Sequence, residues 1–149
     1  GKGIPLYGDG LNSRDWLYVE DHVDALLLAA CRGEKGSSYC IGGYGEKTNH
    51  ELVLAICSHL DQQLPHGSPH SSLITKVTDR PGHDRRYSIN PTFIVEKLGW
   101  RPRHNLEEGL SETVRWYLDH QKWCFEVLER AHYHEDRLGL QQKNTSTDS

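Results

Sequence analysis

Nine consecutive residues, Asp79-Arg80-Pro81-Gly82-His83-Asp84-Arg85-Arg86-Tyr87, gather three arginines, a histidine and a tyrosine around a Pro-Gly pair. Cations so crowded repel one another unless an anion lies close by, and the stretch reads as an anion clamp. Pro81 fixes its own φ and Gly82 accepts a positive one, so a type II turn would hold Arg80 and His83 on one side of a tight bend. A planar guanidinium there matches the forked geometry of a phosphate. The competing reading is a solvated turn whose arginines pair with Asp79 and Asp84.

Other residues could join such a clamp. Arg14 stands between a loop and the extended run that starts at Asp15, although a surface pair with Asp15 or Glu20 would account for it equally. Asn49 begins a helix whose first N–H groups are expected to be free for an anion. Pro5 and Tyr7 could offer backbone and an aromatic face to a base, or simply pack as a strand. Arg14, Asn49, Arg80 and His83 together could hold a diphosphate if folding brings them together.

Alternative chemistries find less support. Ten histidines raise the question of a metal, but His132-Tyr133-His134-Glu135-Asp136 lacks i, i+4 spacing, and His66 and His70 have no cysteine pair to complete a shell. No metal site is expected. A serine hydrolase would need G-x-S-x-G, which is absent. Gly42-Gly43-Tyr44-Gly45 follows an apolar run and precedes a helix, yet it does not match G-x-G-x-x-G and reads as a plain turn.

The elements that must position these residues follow from pattern. Ile4 to Tyr7 is a short strand ended by Gly8-Asp9-Gly10, and Asp15 to Val19 is a second extended run. Glu20 to Arg32 is helical, with Val23, Leu26, Leu27 and Ala30 on one face and Gly33 as the stop. Ser38 to Ile41 reads as a strand, and Thr48 or Asn49 caps a helix to about Leu60 that buries Leu52, Ile56 and Leu60. Gln62 to Ser72 is a loop, Leu73 to Val77 a strand, and Asn90-Pro91 opens a helix that Gly99 ends. Asn105 starts a last helix that runs to about Arg130, with Leu106, Leu110, Thr113, Val114 and Tyr117 on one face. Residues 1–130 are one domain by this reading, and the polar tail at 131–149 is expected to be disordered.

Composition sets outer limits. The 149 residues are 36% hydrophobic and 26% charged, with net charge −4 and pI about 6.2, so no global positive field would draw nucleic acid. Cys31, Cys40, Cys57 and Cys124 are scattered through apolar stretches and read as buried free thiols of a reducing compartment. No apolar run approaches the roughly 20 residues that span a bilayer, and no leader pattern opens the chain, which points to the cytoplasm. Gly1-Lys2-Gly3 enters a strand directly, without methionine, and looks like the edge of a cut.

The order of motifs is specific. Gly8-Asp9-Gly10, then Arg14-Asp15-Trp16-Leu17-Tyr18-Val19-Glu20-Asp21-His22, then Tyr39-Cys40-Ile41-Gly42-Gly43, then the Asp79–Tyr87 run, Leu98-Gly99-Trp100 and Thr113-Val114-Arg115-Trp116-Tyr117-Leu118 succeed one another. From Gly1 to about Trp123 this resembles the C-terminal part of the dTDP-glucose 4,6-dehydratases, a branch of the extended short-chain dehydrogenase/reductases. Related epimerases and decarboxylases share the motifs more loosely.

The resemblance implies an α/β (α+β) fragment: the substrate-binding C-terminal part, with a last strand and helix of a Rossmann sheet but not its core. It implies that Pro5, Leu6 and Tyr7 lie against a nucleobase, that Arg14 and Asn49 hold the diphosphate, and that Asp79, Arg80, His83 and Tyr87 line the same pocket. The implied ligand is a dTDP-sugar. In the family, a G-x-x-G-x-x-G loop holds NAD, a Tyr-x-x-x-Lys pair handles hydride chemistry and an Asp-Glu dipeptide eliminates water. None of these occurs here. The chain alone is therefore expected to hold no cofactor and to catalyse nothing, NAD belonging to the intact enzyme. A freestanding, non-catalytic nucleotide-sugar-binding module is one alternative, and the same part of a related sugar-nucleotide epimerase or decarboxylase is another. Stripped of a Rossmann neighbour, Leu26, Leu27, Leu28 and Ile41 would expose on the order of a few hundred Å2 of apolar surface, which predicts association with a separate N-terminal half or with another copy.

Overall fold

A computed structural model describes residues 2–65 and 69–131 of the chain. Its elements are β1 (Ile4–Tyr7), β2 (Ser13–Asp15), α1 (Val19–Arg32), β3 (Glu46–Thr48), α2 (Asn49–Gln63), a 3-10 turn at His70–Leu73, β4 (Ile74–Val77), α3 (Thr92–Leu98), α4 (Leu106–Asp119) and α5 (Gln121–Arg130). The mixed α/β class expected from the resemblance holds. The tail beyond 131, and with it His132-Tyr133-His134, lies outside the described residues, as does His66.

Two small sheets organise the strands. β1 and β4 are parallel, with Ile4 opposite Ile74 and Tyr7 opposite Val77. β2 and β3 are antiparallel, Ser13 facing Thr48 and Arg14 facing Lys47. On its other edge Ser13 bridges Arg86 in parallel, its N–H donating to the Arg85 carbonyl at 2.8 Å and its carbonyl accepting the Tyr87 N–H at 3.0 Å. The end of the charged run is thereby stitched to β2.

Helix packing supplies the core. Ala25 of α1, Ile94 of α3 and Trp100 form its centre, with Leu17, Leu28, Tyr39, Ile41, Val95 and Leu98 against them. Gly99 takes φ +70 and ends α3, its N–H returning to the Val95 carbonyl, as its glycine identity led one to expect. α2 packs on α4, where Cys57 and Val114 are buried. Thr48 and Asn105 each complete a capping box, with Glu51 and Glu108 respectively. Asp21, fully buried in α1, accepts the His104 N–H at 3.0 Å and so ties α1 to the chain entering α4. Burial opposes its ionisation, but backbone N–H groups of His104 and Arg103 outweigh this and leave its pKa below the ordinary value.

Several expectations are corrected. Ser38 to Ile41 forms no strand: among the described residues no strand lies alongside it, and it docks instead through Tyr39, stacked on Phe93, and Ile41 against the core. The second extended run is Ser13–Asp15, earlier than Asp15–Val19, because β3 pairs there. α1 buries Asp21 and Ala25, whereas Leu26 and Leu27, on the apolar face read from sequence, are 50% and 60% exposed. Leu28 and Ile41 are half-buried against the core. Leu52, Ile56 and Leu60 of α2 are only half-buried. The loop from Gln62 contains the 3-10 turn, pinned by Asp61, which accepts the His70 N–H at 2.9 Å. The last helix breaks at His120 into α4 and α5. Of the cysteines only Cys57 is buried, and Cys31 and Cys40 are exposed.

Candidate anion-binding site

Local structure brings the Asp79–Tyr87 run over the Gly8–Arg14 segment. Gly8 N–H donates to the Val77 carbonyl at 2.9 Å, so β1 and β4 end side by side and release Asp79 next to Gly8. Gly82 adopts φ +68, the backbone that the Pro-Gly turn required. Inside the turn the His83 ring, 7% exposed, meets Asp79 Oδ1 at 2.7 Å. That bond, with the Arg80 N–H at 2.8 Å, keeps the Asp79 carboxyl below its ordinary range. Asp79 is thus occupied in shaping the bend.

The arginines divide by role. Arg85 pairs with Asp9 at 3.0 Å and Arg86 with Glu46 at 2.5 Å. Neither takes the partner that a self-contained surface turn predicts. Arg86, with help from the Ser13 hydroxyl, holds the Glu46 carboxyl down to about 2. Arg80 is exposed, and its guanidinium pairs with no carboxylate among the described residues. Arg14 donates from Nη1 to the Ser13 carbonyl at 2.6 Å and from Nη2 to the Asp84 carbonyl at 2.9 Å, with its Cζ 4.5 Å from the centre of the Tyr87 ring. Among the described residues no carboxylate is bonded to it.

Tyr87 joins the two free cations. Its hydroxyl donates to Asp84, which raises the phenol's pKa, aided by desolvation, while the charges of Arg14 and Arg80 both push it back down. Both guanidiniums therefore lie within electrostatic reach of one exposed aromatic face. Asn49 enters from the far side of β2, where its N–H donates to the Asn12 carbonyl at 2.9 Å.

The start of α2 is not the anion site its N–H groups suggested. Asn49 N–H goes to Asn12, His50 N–H to the Gly10 carbonyl at 2.9 Å, and Glu51 N–H to the Thr48 hydroxyl at 3.1 Å. Only the Asn49 side chain is left to reach a ligand. The glycine loop is likewise committed. Gly43 and Gly45 donate to the two oxygens of Asp15 at 3.0 and 2.9 Å, and a Cβ on Gly43 would stand 2.3 Å from the Trp16 carbonyl. This nest grips a carboxylate of its own chain and does not fit a dinucleotide pyrophosphate.

Pro5, Leu6 and Tyr7 lie on β1, with Pro5 exposed, Tyr7 half-buried and Leu6 5% exposed. Leu6 is packed against Gly10 and His50, so only its backbone is available to a ligand. No other described strand joins β1 on its second edge. None of the nine expected residues lines the cleft of about 530 Å3 between α2, α4 and the start of α1, walled by Trp16, Leu52, Ile56, Leu106, Leu110 and Trp116. That lining is mainly apolar and includes the Glu20 carboxylate, which suits an anion poorly. Among the described residues no group of three or more His, Cys, Asp or Glu side chains gathers in metal-binding fashion.

The family model described as GDP-mannose 4,6 dehydratase matches residues 1–113. The chain belongs to that family. Among curated proteins it is 45% identical over 141 residues to a dTDP-glucose 4,6-dehydratase of Xanthomonas campestris pv. campestris, covering 93% of this chain and 40% of the relative. Among solved structures it is similar to the dTDP-glucose 4,6-dehydratase of Bacillus anthracis in complex with NAD (TM-score 0.69, 43% identity, 82% of this chain and 36% of that one). It is also similar to that of Streptomyces venezuelae with NAD and dTDP bound (TM-score 0.70, 40% identity, 82% and 36%). This family member thus spans about two fifths of the length of the curated relatives it matches. No described helix is long and apolar enough to cross a membrane.

One residue of this arrangement was invisible in the sequence: Asn12, buried, carries no motif that marks it. Asp84 was visible only as a partner for its neighbouring arginines, whereas its carbonyl accepts from Arg14 and its carboxylate from Tyr87. The only hint was the density of Asx residues around the glycines of the first loop.

Proposed function

We propose that this chain is the nucleotide-sugar-binding part of a dTDP-glucose 4,6-dehydratase, the enzyme that converts dTDP-glucose to dTDP-4-keto-6-deoxy-glucose and water. The observation that carries the proposal is the division of the arginines: Arg85 and Arg86 are paired with carboxylates, while among the described residues Arg14 and Arg80 are paired with none and Arg14 lies over the Tyr87 ring. A diphosphate with its two negative groups suits that pair of cations, with the Asn49 amide as a further donor. Pro5, Leu6 and Tyr7 would meet the base through backbone and ring, and the turn that Asp79 and His83 shape would close over the phosphates.

By the resemblance, the intact enzyme oxidises the sugar at C4, loses water across C5 and C6, and returns the hydride to C6, NAD serving as the hydride carrier on a Rossmann portion. This chain's share is anchoring: binding energy spent on the remote nucleotide fixes the sugar where it reacts. A cytoplasmic setting belongs to the same reading. So does a role for the outer face of α1, where exposed Val19, Val23, Leu26 and Leu27 would seat the Rossmann portion or, without it, a second copy.

Calorimetry with dTDP tests the proposal, on the chain alone and with a Rossmann half supplied separately. Binding in at least one arm, abolished by Arg80→Ala, is expected. No heat in either arm, or binding untouched by Arg80→Ala, would overturn it.

A further inference from the structure

We propose that Asn12 is the positioning residue of the anion site: its side chain fixes the 84–87 segment, on which Arg14 and Tyr87 rest, to a loop whose main chain also holds the start of α2. What the site binds rests on the reading above; the positioning is argued from the fold alone.

Asn12 lies in the loop between β1 and β2, 3% exposed. Its main-chain carbonyl accepts the Asn49 N–H at 2.9 Å, which sets where α2 begins. Its Nδ2 donates to the Asp84 carbonyl at 3.1 Å, the same oxygen that Arg14 Nη2 reaches at 2.9 Å. The Asp84 carboxylate in turn takes the hydroxyl of Tyr87, whose ring faces the Arg14 guanidinium. One residue therefore holds, by one bond each, the element that carries Asn49 and the segment that aims Arg14 and Tyr87.

The chemistry of the amide strengthens the assignment. Exchanging its nitrogen and oxygen would set two oxygens 3.1 Å apart, so the donor must face Asp84. Its Oδ1 is then buried without a donor among the described residues. A buried acceptor left so is a standing cost to stability, and an apolar side chain of similar size would fill the space without it. What the amide supplies and an apolar group does not is the bond to Asp84.

Three measurements test this. In the unaltered chain, nuclear magnetic resonance should show the Asn12 side-chain NH2 protected from solvent exchange; a freely exchanging amide overturns the proposal without any variant. Without ligand, Asn12→Asp and Asn12→Ala should speed exchange of the Tyr87 N–H about tenfold or more, as losing one buried bond implies, while amides around Ile94 stay unchanged. Tyr87 exchange in both variants unchanged from that of the unaltered chain, or acceleration spread evenly through the core, contradicts positioning. With dTDP, Asn12→Asp and Arg14→Ala should each weaken binding, and together should be no weaker than Arg14→Ala alone within about twofold. Additive losses mean that Asn12 does not act through Arg14. Failure of the unaltered chain to bind dTDP in any form would defeat the nucleotide reading and leave the two exchange measurements to judge Asn12.

Discussion

Asp15 is the residue on which the local geometry turns, because its two oxygens hold the Gly43 and Gly45 N–H groups and so set how β2 meets the glycine loop. Asp15→Ala leaves both donors without their acceptor and should cost about 1–3 kcal/mol of stability in a denaturant titration; Asp15→Asn, which keeps one acceptor, should cost less. Gly43→Ala places a methyl against the Trp16 carbonyl and should cost a similar amount, about 1–3 kcal/mol, by overpacking. Glu46 supplies a pH signature. Its folded-state pKa of about 2 lies below the ordinary 4.5, so its pairing with Arg86 stabilises the fold fully above 4.5 and is lost as pH falls toward 2. Replacing it in Glu46→Gln should therefore lower stability at neutral pH and flatten the loss of stability between pH 4.5 and 2, measured by denaturant midpoints across that range. At this scale the sequence was informative where a backbone conformation calls for one residue type, as the positive φ does at Gly82 and Gly99. It was silent where a residue's partner is distant: nothing local links Arg85 to Asp9, Arg86 to Glu46, or Asp15 to the glycines that it holds.

Elements were legible wherever a cap or a glycine bounded a periodic run. α1, α2, α3 and the start of α4 stand close to where the pattern put them, since Thr48, Asn105, Gly33 and Gly99 act through local bonds. The strand expected at Ser38–Ile41 failed because a strand is a property of two segments, and its apolar side chains are satisfied by packing alone. The break at His120 had no Gly or Pro to announce it; there the His120 ring stacks on Trp116 and its Nδ1 meets the Trp116 carbonyl at 2.8 Å. α1 shows the other limit. Its apolar stripe was visible, but which part faces inward depends on what lies beyond the chain's own core. With Leu27 60% exposed, Leu27→Glu should change stability by no more than about 0.5 kcal/mol. The same change should weaken association with a Rossmann half, or self-association in sedimentation; unchanged association would remove α1 from the proposed interface.

At the scale of the molecule, two regions differ in character. One region carries Arg14, Tyr87 and the Asn49 element, drawn together by backbone bonds at Ser13 and Asn12, with Arg80 in the turn that leads into it. The other is the apolar cleft between α2 and α4, which contains none of the expected binding residues. If a nucleotide diphosphate is what the molecule grips, it must choose the first. The direct measurement is a titration of isotope-labelled chain, with the Rossmann half supplied, in which dTDP is added while the side-chain nitrogen signals are followed. The account predicts that Arg14, Arg80 and the Asn49 amide shift together along one saturation curve, with the Trp16 and Trp116 indoles still. Shifts that gather at those indoles while the two arginines stay fixed would contradict it.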